Sequence, residues 1–455
     1  MSRNAAPCEP ASRLLRDGTA RWLLAGVLTI LVLVQGGQLA SIGNGLGKHT
    51  DPHSEADALR SADAYARDGL TSHYGLPRTL YGSRFPNDGT IKDHVGSDGL
   101  VPQQFRQDFP AGMASPNEWV YTHYPPGPNL LSGLMAEAFG FERLWMFRLL
   151  PIGLSLLAVA VLFRELARAF GLGRGAVMAA ACAAPPMVSA YMPGLHCQSY
   201  AFALLLLQIA VVLRLFWGGR GFGKWTVFAL FMLGFLQGWL SFDPFFVMAL
   251  LGLPLWLLRR AEGVPPPVSW LLLTAVLPVV GFVLASALHV LQVAADLGGM
   301  QAALAELHRT AAERGGQAAP ERFAFLRFVA RASYLYLRET LKPTNLHFGP
   351  LMLLALAICV PIALRRKVAV SLPGGLRVSL AWPGPLSVLP ALLAALFVSA
   401  VWMLFMPQHT VGNFHFTVRH FFLLYFCLVI TIVQSLELQR VGAGSPKPAG
   451  LAAGT

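Results

Sequence analysis

The chain has 455 residues, of which 55% are hydrophobic and 13% charged. With a mean hydropathy of +0.54 it is too apolar and too charge-poor for a soluble protein of this length. The formal net charge of +12 does not point to nucleic acid, because the basic residues are shared out among short connections between apolar runs instead of forming a patch.

The N-terminal segment, residues 1–21, carries Arg3, Arg13, Arg16 and Arg21 ahead of an apolar run at 22–40. That run is long enough to cross a bilayer as a helix and lacks a clear small-x-small cleavage site, so an uncleaved anchor is expected. Further runs lie at 147–163, 176–191, 199–217, 225–242, 245–258, 270–293, 348–364, 386–406 and 421–433. The fold class expected is therefore an all-α polytopic membrane protein with about ten transmembrane helices. Lys and Arg recur in every second connection, at Arg164, Arg168 and Arg174, at Arg214, Arg220 and Lys224, at Arg259 and Arg260, and at Arg365, Arg366 and Lys367. The turns 187–199 and 242–244 carry neither residue. This alternation predicts a multi-pass protein of the inner (plasma) membrane with both termini cytoplasmic. Three outer segments follow within a transmembrane domain spanning 22–440, namely 41–146, 296–347 and 407–420. The tail 441–455, rich in Gly, Ala and Pro, reads as disordered. Cys8, Cys182, Cys197, Cys359 and Cys427 are scattered and form neither a disulfide framework nor a zinc spacing.

The first outer segment is long for a connection between adjacent spans, which points to function. Asp51-Pro52 has the form of a helix N-cap with Pro at the first helical position, and Asp68-Gly69 that of a helix end. Between them Ala56, Leu59, Ala62 and Ala66 make an apolar stripe, with Arg60, Asp63 and Arg67 opposite. The pattern predicts a helix lying in the membrane interface, with Glu55 and Asp57 near its start.

The run 54–69, SEADALRSADAYARDG, resembles the first periplasmic loop of the GT-C glycosyltransferases, in particular the aminoarabinose transferases and protein O-mannosyltransferases. Residues 121–128, YTHYPPGP, resemble their aromatic-basic-Pro-Pro segment, and 139–149, FGFERLWMFRL, their entry to the second span. The resemblance covers about a quarter of the chain, from Glu55 to Arg164. It implies a GT-C-like fold and transfer of a sugar from a polyprenyl-phosphate carrier on the outer membrane face, to an acceptor glycan, lipid or protein, with a loop carboxylate as general base. Such a transfer needs a carboxylate to take the acceptor proton and cations to hold the departing phosphate. Glu55 and Asp57, then Asp51, are the candidate catalytic carboxylates. Asp51, His53, Glu55 and Asp57 also offer ligands of the kind that hold Mg²⁺ or Mn²⁺.

A second constellation lies in 409–420, where His415 and Arg419 are four residues apart and His409 and His420 lie nearby. Arg with imidazoles suits a phosphate, although Arg and aromatic residues at this level also serve as membrane anchors. His289 and Arg148 are further candidates. His123 and Tyr124 stand where the resembled families often carry an acidic-basic pair before Pro-Pro, so they either contact substrate or shape the pocket. The turn 193–198 lacks the carboxylate many of those families place there. In 300–347 the spacing of Phe323, Leu326, Ala330 and Tyr334 predicts an amphipathic surface helix. Two other classes fit the same composition: a transporter or lipid-linked glycan flippase, and a glycan polymerase or ligase. A transporter would be expected to hold ionisable residues near mid-membrane, and here they gather at the outer rim.

Overall fold

A computed structural model describes residues 17–44, 52–80, 118–120, 122, 124–219, 221–316, 323–341, 349–372, 376–412 and 418–440. The described residues are overwhelmingly helical. Among them four helices are long and apolar enough to cross a membrane: Asp17–Ile42, Phe141–Phe170, Cys197–Trp217 and Val268–Asp296. Five shorter apolar helices, Leu172–Ala183, Lys224–Leu240, Gly349–Ala363, Leu389–Phe405 and Arg419–Ser435, accompany them. Two of the expected spans break where the sequence contains Gly or Pro. The run 176–191 becomes Leu172–Ala183 (α6) and Pro186–Ala190 (α7), and the run 245–258 becomes Phe245–Leu250 (α10) and Gly252–Ala261 (α11). Pro185 and Pro186 have no N–H to give to a continuing helix, which accounts for the first break.

The centre of the bundle is formed by Cys197–Trp217 (α8) and Phe422–Ser435 (α18), most of whose side chains are buried. Phe202 of α8 meets Phe422 of α18 edge to face, with centroids 5.3 Å apart. At the periphery, Asp17–Ile42 (α1) and Val268–Asp296 (α12) turn large apolar side chains outward, among them Trp22, Leu33, Val276 and Leu291. Outward apolar surface on this scale costs little where lipid is the solvent. Lys224–Leu240 (α9) packs closely on α12 because glycine faces backbone on both sides. A Cβ at Gly234 would collide with the backbone of Pro278, and one at Gly281 with that of Phe231, which is the small-residue packing typical of helices without a hydrophobic drive to associate.

One end of the bundle gathers the basic connections. There Arg174 donates to Gln434 Oε1 at 3.0 Å, Trp217 Nε1 to Glu262 at 3.1 Å, and Trp382 Nε1 to the Ala261 carbonyl at 3.3 Å. A three-stranded antiparallel sheet of β3 (Val368–Leu372), β4 (Leu376–Leu380) and β5 (Leu436–Arg440) closes this end. None of these three strands is expected from the all-α reading of the sequence.

The opposite end carries the first long segment. Pro52–Asp68 (α2) forms as predicted and ends at Gly69, whose φ of +90° suits glycine. Leu59 and Ala62 of its apolar stripe face protein and not lipid, whereas Ala66 is exposed. Ala58, Leu59 and Ala62 pack with Ala136, Leu144, Phe147 and Leu195, so α2 is seated on Gly127–Phe139 (α3) and the start of the second long helix. Gly133 permits this approach, since a Cβ there would lie 2.8 Å from the Tyr65 ring. Arg60, expected toward solvent, is 1% exposed and pairs with Asp57 at 3.0 Å. Beyond α2 the chain turns through Ser72–Gly75, where His73 and Tyr74 adopt positive φ. This strained turn is held to α12 by His73 Nδ1 against Asp296 Oδ1 at 2.7 Å and by Gln292 donating to the Tyr74 carbonyl at 2.8 Å. Arg78–Leu80 (β1) then pairs antiparallel with Glu118–Val120 (β2).

Residues 300–347 supply two helices, Met300–Arg314 (α13) and Ala324–Leu341 (α14). Ala324 and Ala332 of α14 are buried, whereas Phe323, Leu326, Tyr334 and Leu337 point outward. The predicted amphipathic helix is therefore present, with its large apolar stripe away from the protein and Arg327, Arg331 and Arg338 exposed as well.

Asp68 fastens the end of α2. Its Oδ2 accepts from Arg67 Nη2 and from Arg78 Nη2, each at 2.7 Å. These contacts, Arg67 first, hold its carboxyl down at about 2 from an ordinary 3.8. A carboxylate with a depressed folded value stabilises above its unfolded value, and the contribution is lost as pH falls through the folded one. The melting-temperature difference between wild type and Asp68→Asn in detergent should therefore be present at pH 6 and shrink steadily between pH 4 and pH 2.

Candidate functional site

Arg148 sits between the short helix Leu144–Phe147 (α4) and Leu149–Phe170 (α5) and is 0% exposed. Its Nη1 donates to Glu55 Oε1 at 2.8 Å and its Nη2 to Glu55 Oε2 at 3.0 Å, a two-pronged pairing that matches the guanidinium fork to the carboxylate. Nη1 also donates to the Pro193 carbonyl at 2.8 Å, and the Leu195 amide reaches Glu55 Oε1 at 3.4 Å. Glu55 itself is 0% exposed. The pair thus ties α2, the head of α5 and the 193–195 turn together. This geometry makes Glu55 a holding residue. Both its oxygens are engaged by a cation, which is poor placement for taking a proton from an acceptor. It is poor placement for Mg²⁺ or Mn²⁺ too, since a metal there would sit against the guanidinium.

Asp57 differs. Its side chain is 39% exposed and pairs with Arg60, so solvent and an acceptor can reach it. Asp51, His123 and His415 lie outside the described residues, and so does the side chain of His53.

A second buried pair joins distant parts of the sequence. Asp243, in the turn between α9 and α10, meets Arg419 of the 3-10 turn Val418–Phe421, with Nη2 and Oδ2 3.5 Å apart. Both side chains are buried. Asp243 is held by its own amide donating to Ser241 Oγ at 3.2 Å, and the following Pro244 leads into α10. His420 is next to Arg419 and 1% exposed, and neither ring nitrogen makes a hydrogen bond among the described residues. Arg419, Asp243 and His409 all lie close enough to act on its charge.

His409, on Pro407–Gly412 (α17), has its Nε2 2.9 Å from the Tyr124 hydroxyl, and its ring stands edge-on to Trp402 at 5.8 Å. Tyr124 in turn stacks on Phe242 with centroids 6.4 Å apart, so the Pro-Pro segment and the 409–420 constellation meet beside Asp243. His289 of α12 also contacts Phe242, at 6.0 Å. Its Nε2 is 2.9 Å from the Thr122 carbonyl, which can only accept, so this nitrogen carries the proton. Thr122 Oγ1 donates to Glu306 Oε1 at 3.0 Å, and Arg309 holds the same carboxylate at 3.0 Å. His289 and Thr122 therefore fix the Pro-Pro segment from behind.

The structure accordingly brings Tyr124, His289, His409, Arg419 and His420 to one end of the bundle, and Arg148 and Glu55 to an adjoining clamp. Sequence reasoning missed Asp243 and Glu306. A signal for Asp243 was present, since it is the only acidic residue in 166–261. Glu306 lies in a segment dense with charges, where no pattern distinguishes the one carboxylate that becomes buried. No group of three or more His, Cys, Asp or Glu is placed to hold a metal ion among the described residues.

Glu55→Gln should be costly to the fold, because it leaves the buried Arg148 charge without its carboxylate. The expected loss is about 3 to 5 kcal/mol, seen as a lowered unfolding midpoint in detergent. Replacing both partners with Met should restore much of that stability, and a double variant no more stable than Glu55→Gln would refute the clamp. No family model, no curated protein and no solved structure matches the chain, so its chemistry is argued from its own residues.

Proposed function

We propose that this chain is a GT-C-type glycosyltransferase of the inner membrane that moves a sugar from a polyprenyl-phosphate carrier to an acceptor on the outer face. In this reading the shorter apolar helices complete about ten spans, and the basic end with its three-stranded sheet is cytoplasmic. The observation that carries the proposal is the buried Arg419, flanked by His420 and His409, at the end of the bundle opposite the basic connections. A buried guanidinium with neighbouring imidazoles suits a phosphate held at the membrane surface. The resemblance of 54–69 and 121–128 to GT-C loops supports the sugar-transfer chemistry.

Roles then follow from accessibility. Arg419 binds the carrier phosphate and stabilises the charge that grows on it as the sugar leaves. His409, oriented by Tyr124, and His420 complete that site. Asp57 is the first-loop carboxylate best placed to act as general base, with Glu55 and Arg148 holding α2 beneath it. The carrier's chain has an apolar route beside the site: a groove of about 450 Å³ lined by Leu70, Tyr74, Leu130 and Leu291, one turn along α12 from His289.

Three measurements test this reading. With an impermeant thiol reagent applied to intact cells, a cysteine replacing Thr71 should label and one replacing Gly221 should not; the reverse pattern would put the site on the cytoplasmic side. In nanodiscs, Arg419→Lys should bind a polyprenyl-phosphate sugar about ten- to a hundredfold more weakly than wild type. Asp57→Asn should keep donor binding but lower turnover by about a hundredfold. Wild-type turnover in Asp57→Asn would remove it as the base.

A further inference from the structure

Ala324–Leu341 (α14) carries two exposed rows side by side. Leu326, Tyr334 and Leu337, with Phe323 just ahead of the helix, recur at helical spacing and are 59 to 63% exposed. Arg327, Arg331 and Arg338 stand one position on from Leu326, Ala330 and Leu337, which sets an exposed row of guanidiniums along one flank of the apolar one. Between 323 and 338 the sequence holds these three Arg and neither Asp nor Glu. The Arg338 guanidinium lies over the Tyr334 ring, 5.7 Å from its centroid, so cation and apolar row are held together. The other side of the helix is committed to protein. Ala324 and Ala332 are buried, and Phe328 covers Gly316, where a Cβ would collide with its ring. The helix packs on α17, on the turn Val418–Phe421 and on the apolar helices Gly349–Ala363 and Leu389–Phe405. Those two helices turn Leu353, Leu393 and Phe405 outward beside it, which is surface of the kind that lipid covers.

We propose that α14 docks on the bilayer surface as a binding element for anionic phospholipid, and that headgroup binding there steadies α17 and the 418–421 turn behind it. The inference stands apart from the sugar-carrier reading, since it needs only that the bundle lies in a membrane. An apolar row with cations along its flank suits a helix lying in the plane of the interface, with Leu326, Tyr334 and Leu337 in the acyl boundary and the arginines at headgroup level. A row of guanidiniums at that depth favours a net-negative headgroup over phosphatidylcholine, in which the choline charge cancels that of the phosphate. Arginine also meets phosphate oxygens with two donors at once, so the contact is geometric as well as electrostatic. The inner side of the same helix rests on the elements that carry His409 and Arg419. Fixing its outer side therefore limits how far those elements can move, and the charge of the surrounding lipid sets how firmly this end of the bundle is held.

The test follows amide hydrogen exchange of the full chain in phosphatidylcholine nanodiscs, with and without phosphatidylglycerol as about a third of the lipid. Exchange across 324–341 should slow about tenfold when phosphatidylglycerol is present, and exchange at 407–412 and 418–421 about threefold. Raising the salt from about 0.1 M to about 1 M should remove most of the difference. The combined variant Arg327→Gln, Arg331→Gln and Arg338→Gln should exchange as wild type does in phosphatidylcholine and gain nothing from phosphatidylglycerol. Arg327 and Arg338 also have contacts within the protein, so a thermal melt accompanies that variant. If it melts low, Arg331→Glu carries the test, and should cut the phosphatidylglycerol effect by about threefold. Equal exchange across 324–341 in the two lipids overturns the docking, and two copies per nanodisc in that case would make the face an interface between copies. Inorganic phosphate slowing exchange in plain phosphatidylcholine as strongly as phosphatidylglycerol does would assign the arginines to a free anion and overturn it too. Slowing confined to 324–341 overturns the link to α17 and the 418–421 turn. No carrier or sugar enters the experiment, so each result leaves the proposed activity where it stood.

Discussion

A charge removed from water must be met by an opposite charge or by several hydrogen bonds, and that requirement organises the end of this molecule where the segment after the first helix sits. Arg148 is fully enclosed. Meeting its charge brings Glu55 from one segment and Pro193 from another onto the head of the second long helix. The position of α2, the packing of Ala58, Leu59 and Ala62 beneath it, and the close approach at Gly133 are consistent with that one clamp. It acts together with other ties on α2: Asn129 donates to Ser61 Oγ at 2.9 Å and Arg78 to Asp68 at 2.7 Å.

The distribution of polar groups also separates scaffold from site. Tight pairs such as Glu55 with Arg148, and Asp68 with Arg78, have several donors directed at one carboxylate and join neighbouring elements. The region around Arg419 differs in make-up. It combines a buried ion pair with Asp243, an imidazole enclosed beside it, and a histidine whose Nε2 lies 2.9 Å from a tyrosine hydroxyl.

Lipid as solvent explains features that would be anomalous in a water-soluble fold. α14 places small residues against the protein and large apolar ones outward, with arginines beside them, the pattern of a helix at a membrane surface. The glycines at the α9–α12 contact serve the same end, since packing and not water exclusion must hold these helices together.

Hydropathy and local chain preferences sufficed to show the helical class, the uncommonly long segment between the first two apolar runs, the start and end of α2, and the amphipathic helix near Tyr334, because each is written in consecutive residues. They also singled out the 409–420 segment by its density of imidazole and guanidinium. They did not show which charge meets which. Glu55 read as an exposed base because its neighbours in sequence are polar, yet its partner is 93 residues away. Asp243 and Arg419, 176 residues apart, become a pair only when the turn after α9 meets the 3-10 turn ahead of the last helix. The break of two apolar runs at Gly and Pro was partly legible, whereas the strand Leu436–Arg440 was not, since it is stabilised by β4 and not by its own pattern. Burial and pairing of charges are decided by which helices become neighbours, and that is a property of packing across the whole bundle.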